Sequence, residues 1–141
     1  FYNEAIEYAR EMGNRLVLGY SLIEKGLVHI YADEVSAARL VLEEGRDIAL
    51  ALGNAELTFG ANILRAQVII AEGNRPEALR QLQQLLSMAR TEREEAAAHF
   101  ELRRVADNPT PHHLKALALY RSLYARTPQY LYKMRIEELE K

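Results

Sequence analysis

The sequence predicts an all-α protein built as a solenoid of antiparallel helix pairs. The first observation is an internal repeat, because residues 8–14 align with residues 48–54 when the chain is shifted by 40 positions, and both segments end in Gly-Asn. A fixed period of about 34 to 47 residues is typical of helical solenoids. The second observation is the scarcity of helix breakers. The four Pro and seven Gly residues lie mostly at proposed turns, with helically periodic apolar stretches between them.

The stretch 66–78 shows the repeating unit most clearly. An apolar helical run stops at Gly73-Asn74, and Pro76 opens a second helix in its first turn, where the missing N–H of proline costs nothing. Glu77 follows beside the positive end of the helix dipole. This pattern predicts a helix, a tight turn and a second helix.

Composition limits the classes of protein to which the chain can belong. The formal net charge of −2 gives no reason to expect a nucleic-acid or anionic-membrane surface. Without cysteine there is no disulfide framework and no thiolate metal site, which is consistent with a reducing compartment, and we expect a cytoplasmic protein. No apolar stretch approaches the roughly 18 residues of a membrane span. The chain starts at Phe1 in what reads as mid-helix, so we expect a longer parent protein.

Eight helices are predicted along the chain. Their expected ranges are 1–12, 15–32, 35–52, 55–72, 76–89, 92–106, 112–126 and 129–141. We interpret these as one domain: the end of a preceding repeat (1–14), three repeats (15–54, 55–91 and 92–128) and a C-terminal capping helix (129–141).

Three of these elements carry specific expectations. Two apolar stripes on helix 15–32 predict burial on two sides, and Gly26 predicts a close approach by a neighbouring helix. The helices on either side of residues 90–93 are predicted to run nearly continuously, with Thr91 as a candidate N-cap. The capping helix is predicted to turn a charged face outward, as terminal units of a solenoid require. That face consists of Lys133, Arg135, Glu137, Glu138 and Glu140.

Small and large residues recur at the spacing of a known repeat. The second unit has Ala66, Gly73-Asn74, Ala78 and Leu82, and the third unit has Leu102, Ala116, Tyr120 and the closing Pro128. In these positions the chain resembles the tetratricopeptide repeat superfamily. The stretch Ile63–Ala89 is similar to the variant found in MalT-like bacterial regulators and in multidomain signalling proteins. The first unit has Gly26 and, in the late small position of its second helix, Gly45, and the chain departs from the family pattern at Asp33, Leu85 and Arg103.

This resemblance implies a right-handed solenoid of about eight helices with a concave, largely apolar groove for a peptide or partner-protein segment. Carried over, the groove residues are Tyr20, Ile23, Leu27, Ile30, Tyr31, Ile63, Gln67, Ile70, Phe100, Arg104 and, at the margin, Asp107. The alternative is that several of them pack against a neighbouring repeat. Repeats that clamp a C-terminal carboxylate use Lys and Asn where this chain has Ile23 and Leu27, so that ligand is disfavoured.

Two functions remain open at this level. The first is a non-catalytic scaffold for protein–protein interaction. The second is a sensor or coupling arm of a multidomain signalling or transcription regulator, in which a small effector binds the helical stack. The start in mid-helix and the MalT-like repeats favour the second, whereas the repeats alone favour the first.

Catalytic, metal and cofactor sites are not expected. His112 and His113 are adjacent, so their side chains point about 100° apart on a helix and do not form the i, i+4 pair that a metal site needs. His29 and His99 each stand alone on part-apolar helices. The basic residues around Arg103 are diluted by glutamates, so no nucleic-acid partner is expected.

The N-terminal helix predicts self-association. Its apolar residues cover more than one face, so some of them lack cover if the helix ends the stack. These residues are Phe1, Tyr2, Ala5, Ile6 and Tyr8.

Overall fold

The computed structural model describes residues 2–141, which form eight α-helices and no strand, so the predicted all-α class is confirmed. The helices are α1 (Tyr2–Met12), α2 (Arg15–Tyr31), α3 (Val35–Leu52), α4 (Ala55–Ala71), α5 (Arg75–Met88), α6 (Glu92–Leu102), α7 (Thr110–Arg126) and α8 (Tyr130–Leu139). They form two compact units, the first ending at Asn74 and the second beginning at Arg75. The predicted second repeat thus contributes α4 to the first unit and α5 to the second.

The Gly-Asn pairs end one helix and begin the next, as the sequence predicts. Gly53 ends α3 in the left-handed conformation, with φ of 63°, which costs glycine no steric strain. Asn54 then caps α4, its side-chain oxygen accepting a hydrogen bond of 2.8 Å from the backbone N–H of Leu57. Asn14 caps α2 in the same way, through the N–H of Val17 at 3.2 Å.

The helix boundaries of the second unit differ from the prediction in several places, and α7, for example, begins at Thr110 instead of residue 112. The helices around residues 90–93 are not continuous, because α5 ends at Met88 and α6 begins at Glu92. Thr91 is the N-cap, as predicted, and accepts from the N–H of Glu94 at 3.1 Å. Helix α6 ends at Leu102, four residues before the predicted 106, and the N–H groups of residues 103–105 bond back into the last turn of the helix.

Close contacts at glycines hold α2 against α3 and α4 in the first unit. A Cβ atom added at Gly19 would lie 2.6 Å from Cδ2 of Leu57, and one added at Gly26 would collide with Leu64 and crowd Val41. Real Cβ contacts do not come this near, so an alanine at either position would force the facing leucine side chain to shift. The close approach predicted at Gly26 is confirmed.

An aromatic cluster forms the core of the second unit. Phe100 on α6 meets Tyr120 on α7 edge to face, with ring centroids 6.1 Å apart, and Tyr120 lies 5.9 Å from the ring of Tyr132 on α8. Such pairs add about 0.5–1.5 kcal/mol beyond area burial. Ala96 and Ala116 fill the space between α6 and α7.

The first helix turns one side inward. Ile6 and Ala9 are buried and Tyr8 is exposed. Arg10 forms a bidentate ion pair with Glu44 on α3. Phe1 lies outside the described residues. Self-association through this end stays a prediction.

Among the helices of residues 2–141, none is both long enough and apolar enough to cross a membrane.

Candidate functional site

One side of α2 presents apolar side chains to solvent. We call this surface the outer face of α2. It consists of Leu16, Val17, Tyr20, Glu24, Leu27, Val28 and Tyr31. Tyr31 is 58% exposed, Leu16, Val17 and Val28 are each more than 40% exposed, and Tyr20 and Leu27 are half-buried. The predicted burial of α2 on two sides is therefore wrong. The side of α2 that carries Gly19 and Gly26 is covered by other helices of the unit, whereas the outer face is open to solvent.

The two glycines explain why the outer face points away from the unit. Gly19 and Gly26 are seven residues apart and so lie on one side of the helix, which is pressed against α4. Leu18 and Leu22 are buried on that same half of the helix. The apolar residues on the opposite half are left without cover from the rest of the unit.

The predicted groove residues fall into three groups. Tyr20, Leu27 and Tyr31 lie on the outer face of α2. Ile23 and Ile30 are half-buried and pack against Leu42, Leu64 and their neighbours in the core.

The remaining groove residues are on later helices. Ile63 and Ile70 on α4 are half-buried, whereas Gln67 is 4% exposed and Phe100 is 3% exposed. Buried side chains offer no surface to a partner, so neither Gln67 nor Phe100 belongs to the site considered below. Arg104 is exposed and bonds to Glu101 at 3.0 Å.

Glu24 is the charged member of the outer face. It is exposed and stands one turn from Tyr20 on one side and Val28 on the other, with Leu27 three residues on. The surrounding unit is acidic, since residues 1–74 contain eleven Asp and Glu against six Lys and Arg. The outer face of α2 is therefore an apolar surface with one carboxylate near its middle, on a unit whose net charge is negative.

A buried polar cluster lies between α6 and α8 in the second unit. The guanidinium groups of Arg103 and Arg135 both lie over the ring of Phe100, at 4.1 and 3.9 Å from its centroid. Arg103 also pairs with Glu138 at 3.2 Å. Arg135, predicted on the outer face of the last helix, is instead only 5% exposed. The ring of Phe100 and the carboxylate of Glu101, 3.6 Å from Nη1 of Arg135, offset the cost of burying this guanidinium group.

His99, predicted to stand alone, contacts His112 between α6 and α7. His99 Nδ1 lies 2.9 Å from His112 Nδ1, and the ring centroids are 5.2 Å apart. Burial is the largest cause of the lowered pKa of His99, and the nearby His112 lowers that pKa further. Sequence spacing gave no sign of this pair, since thirteen residues and a loop separate the two positions.

A hollow of about 380 Å³ lies between α7 and α8, lined by Arg121, Tyr124, Lys133, Ile136 and others. It opens widely to solvent and mixes apolar side chains with charges of both signs. In the described part of the chain, no group of three or more His, Asp or Glu side chains is arranged to hold a metal ion.

Comparison of the chain with models of protein families, with curated proteins and with solved structures found no match.

Proposed function

We propose that the chain is a non-catalytic scaffold, a tetratricopeptide-like solenoid of antiparallel helix pairs, that binds a helical segment of a partner protein. The observation that carries the proposal is the outer face of α2, a row of large apolar side chains that the unit leaves open to water. Monomeric proteins seldom leave contiguous apolar surface exposed unless it serves binding. The close packing of α3 and α4 against α2 at Gly19 and Gly26 favours a surface that is formed before a partner binds.

A helix is the occupant whose shape matches this surface. The outer face runs from Leu16 to Tyr31, which at 1.5 Å per residue is about 22 Å. An amphipathic helix of about four turns covers this length with side chains at i, i+3, i+4 and i+7. An isolated side chain or a short extended peptide would leave part of the outer face exposed.

Glu24 selects the charge of that helix. Covering the outer face removes water from around Glu24, and a carboxylate deprived of water without a cationic partner costs several kcal/mol. A lysine or arginine on the partner, placed beside its apolar stripe, would offset that cost. The acidic balance of residues 1–74 favours the same partner, because it attracts a basic helix at a distance. The occupant we infer is a basic amphipathic helix.

A designed peptide tests this function. The probe is a fluorescein-labelled helix of 18 residues with a leucine stripe flanked by arginines, and the measurement is fluorescence anisotropy. We expect Leu27→Arg or Val28→Asp to weaken binding by at least about tenfold, as for residues central to an interface.

Leu40→Asp is the matched control for Val28→Asp. Leu40 is 70% exposed on α3, so the control introduces the same carboxylate at a more exposed apolar position on another helix. It should leave binding unchanged, with all variants shown to be folded by circular dichroism. Equal loss in the control and in the α2 variants, or no binding by the unmodified chain, would count against the proposal.

A further inference from the structure

The geometry of the His99–His112 contact identifies it as a hydrogen bond between two imidazole rings. The centroid separation of 5.2 Å exceeds the nitrogen separation of 2.9 Å by about twice the distance from a ring centre to its nitrogen. The two Nδ1 atoms therefore point at each other along nearly one line. That alignment suits N–H···N bonding. It does not suit chelation, in which both lone pairs converge on a metal ion to one side of that line.

A bond of this kind fixes where protons can sit. In the neutral pair, one ring carries its proton on Nδ1 and donates, while the other carries its proton on Nε2 and accepts through Nδ1. The first added proton binds Nε2 of the donor, which makes that ring cationic and keeps the bond. A second proton has only the accepting Nδ1 left, where it places two N–H groups head to head and two positive charges in contact.

Charged groups around His99 act in both directions. Glu95, one turn earlier on α6, favours the protonated ring and raises the pKa of His99. Burial has the largest effect and lowers that pKa, and His112 and Lys115 on α7 lower it as well. The net direction is downward from 6.5, so the second proton enters only under acidic conditions.

The His99–His112 hydrogen bond lies next to the connection between α6 and α7, so its loss would act on that connection. His99 is in the last turns of α6 and His112 in the first turn of α7, beside the connection formed by residues 103–109. Phe100, the next residue on α6, packs against Tyr120, which lies about two turns beyond His112 on α7. Separation of the histidine rings would therefore loosen the start of α7, while the contact between Phe100 and Tyr120 still joins the two helices farther along α7.

We propose that His99 and His112 form a proton-sensitive latch that holds the α6–α7 connection closed when the pair carries at most one added proton and releases it when both rings are protonated. The latch depends on neither the outer face of α2 nor any partner. Its working range lies below pH 6.5, where an exposed histidine is already mostly charged.

The test is a histidine titration of the whole chain by ¹⁵N NMR, combined with amide hydrogen exchange. In the unmodified chain, His99 should titrate below 6.5, and the protection factors of amides in late α6 and early α7 should fall by about five- to tenfold between pH 7.5 and pH 5, relative to amides in α3. That loss is what one neutral hydrogen bond contributes.

His112→Asn keeps a polar atom near the position of Nδ1 but cannot take up a proton. In this variant the midpoint of His99 should move up toward 6.5, and the extra loss of protection at pH 5 should disappear. His113→Asn, one position along the same helix, should change neither quantity. The proposal is overturned if the midpoint of His99 is the same with and without His112, or if relative protection in the unmodified chain does not change between the two pH values.

Discussion

Arg135 on α8 reaches Glu101 on α6 inside the second unit, with Nη1 3.6 Å from Oε2 and both side chains almost fully buried. Glu101 also accepts a hydrogen bond from Arg104 at 3.0 Å, and the guanidinium of Arg135 rests on the ring of Phe100. The final helix is thus tied to the unit by charge as well as by apolar packing. Its position depends on two ionised groups that must stay paired.

Glu101→Gln should destabilise the second unit strongly. Removing one partner leaves the guanidinium of Arg135 buried without its carboxylate, which typically costs about 3–5 kcal/mol. The free energy of unfolding from urea denaturation measures the loss, and Glu137→Gln on the exposed side of α8 is the control. A cost below about 1 kcal/mol for Glu101→Gln would show that the ion pair does not hold α8 in place.

Replacing glycine by alanine should have opposite effects at two positions in the first unit. At Gly26 the new methyl group meets Leu64, which is fully buried, so the leucine must shift within a packed core and we expect a loss of about 1–3 kcal/mol. At Gly60, within α4, the nearest atom lies 4.0 Å away on Ile23, so the better helix propensity of alanine should stabilise the unit by about 0.5–1 kcal/mol. Thermal denaturation of both variants measures the difference. Equal effects at the two positions would contradict the close approach of α2 and α4.

Acid should reduce stability in two separate pH ranges. His99 has a pKa below its ordinary value of 6.5, so the unfolded chain binds more protons than the folded chain, and stability falls as the pH drops from 6.5 toward the folded-state pKa. The hydrogen bond from Arg10 lowers the pKa of Glu44, so its smaller contribution is present above 4.5 and is lost as the pH falls through the folded-state value.

Variants separate these two ranges. His112→Asn should make the upper range shallower without removing it, because burial, the largest cause of the low pKa of His99, remains. Arg10→Gln should remove less than about 1 kcal/mol of stability from the lower range, because the pair is half-exposed. Urea denaturation at several pH values from 7.5 to 3.5 measures both. An upper range that survives His112→Asn unchanged would place its origin elsewhere.

The sequence predicted the helices well because their signals are local. Gly-Asn stops, Thr91 as a cap and the apolar periodicity each act within a few residues, and they gave the bounds of α3 correctly. What the sequence could not supply depends on contacts distant along the chain. Arg135 looks like a surface residue until Glu101 and Phe100 come next to it, and His99 looks solitary until the chain returns with His112. The candidate site was anticipated in part, since Tyr20, Leu27 and Tyr31 lie on the exposed side of α2.

A charge exchange at Glu24 tests the central claim most directly. Two labelled helices share one leucine stripe and carry either arginine or glutamate beside it, and the affinity of each is measured for the unmodified chain and for Glu24→Arg. We expect the unmodified chain to prefer the arginine helix and Glu24→Arg to prefer the glutamate helix, with Glu43→Arg on α3 behaving like the unmodified chain. A third outcome is possible: Val28→Asp abolishes binding, but Glu24→Arg leaves the preference between the two helices unchanged. That outcome would support the outer face of α2 as the binding surface and contradict a basic partner. If neither helix binds at all, the outer face of α2 is not the binding surface proposed here.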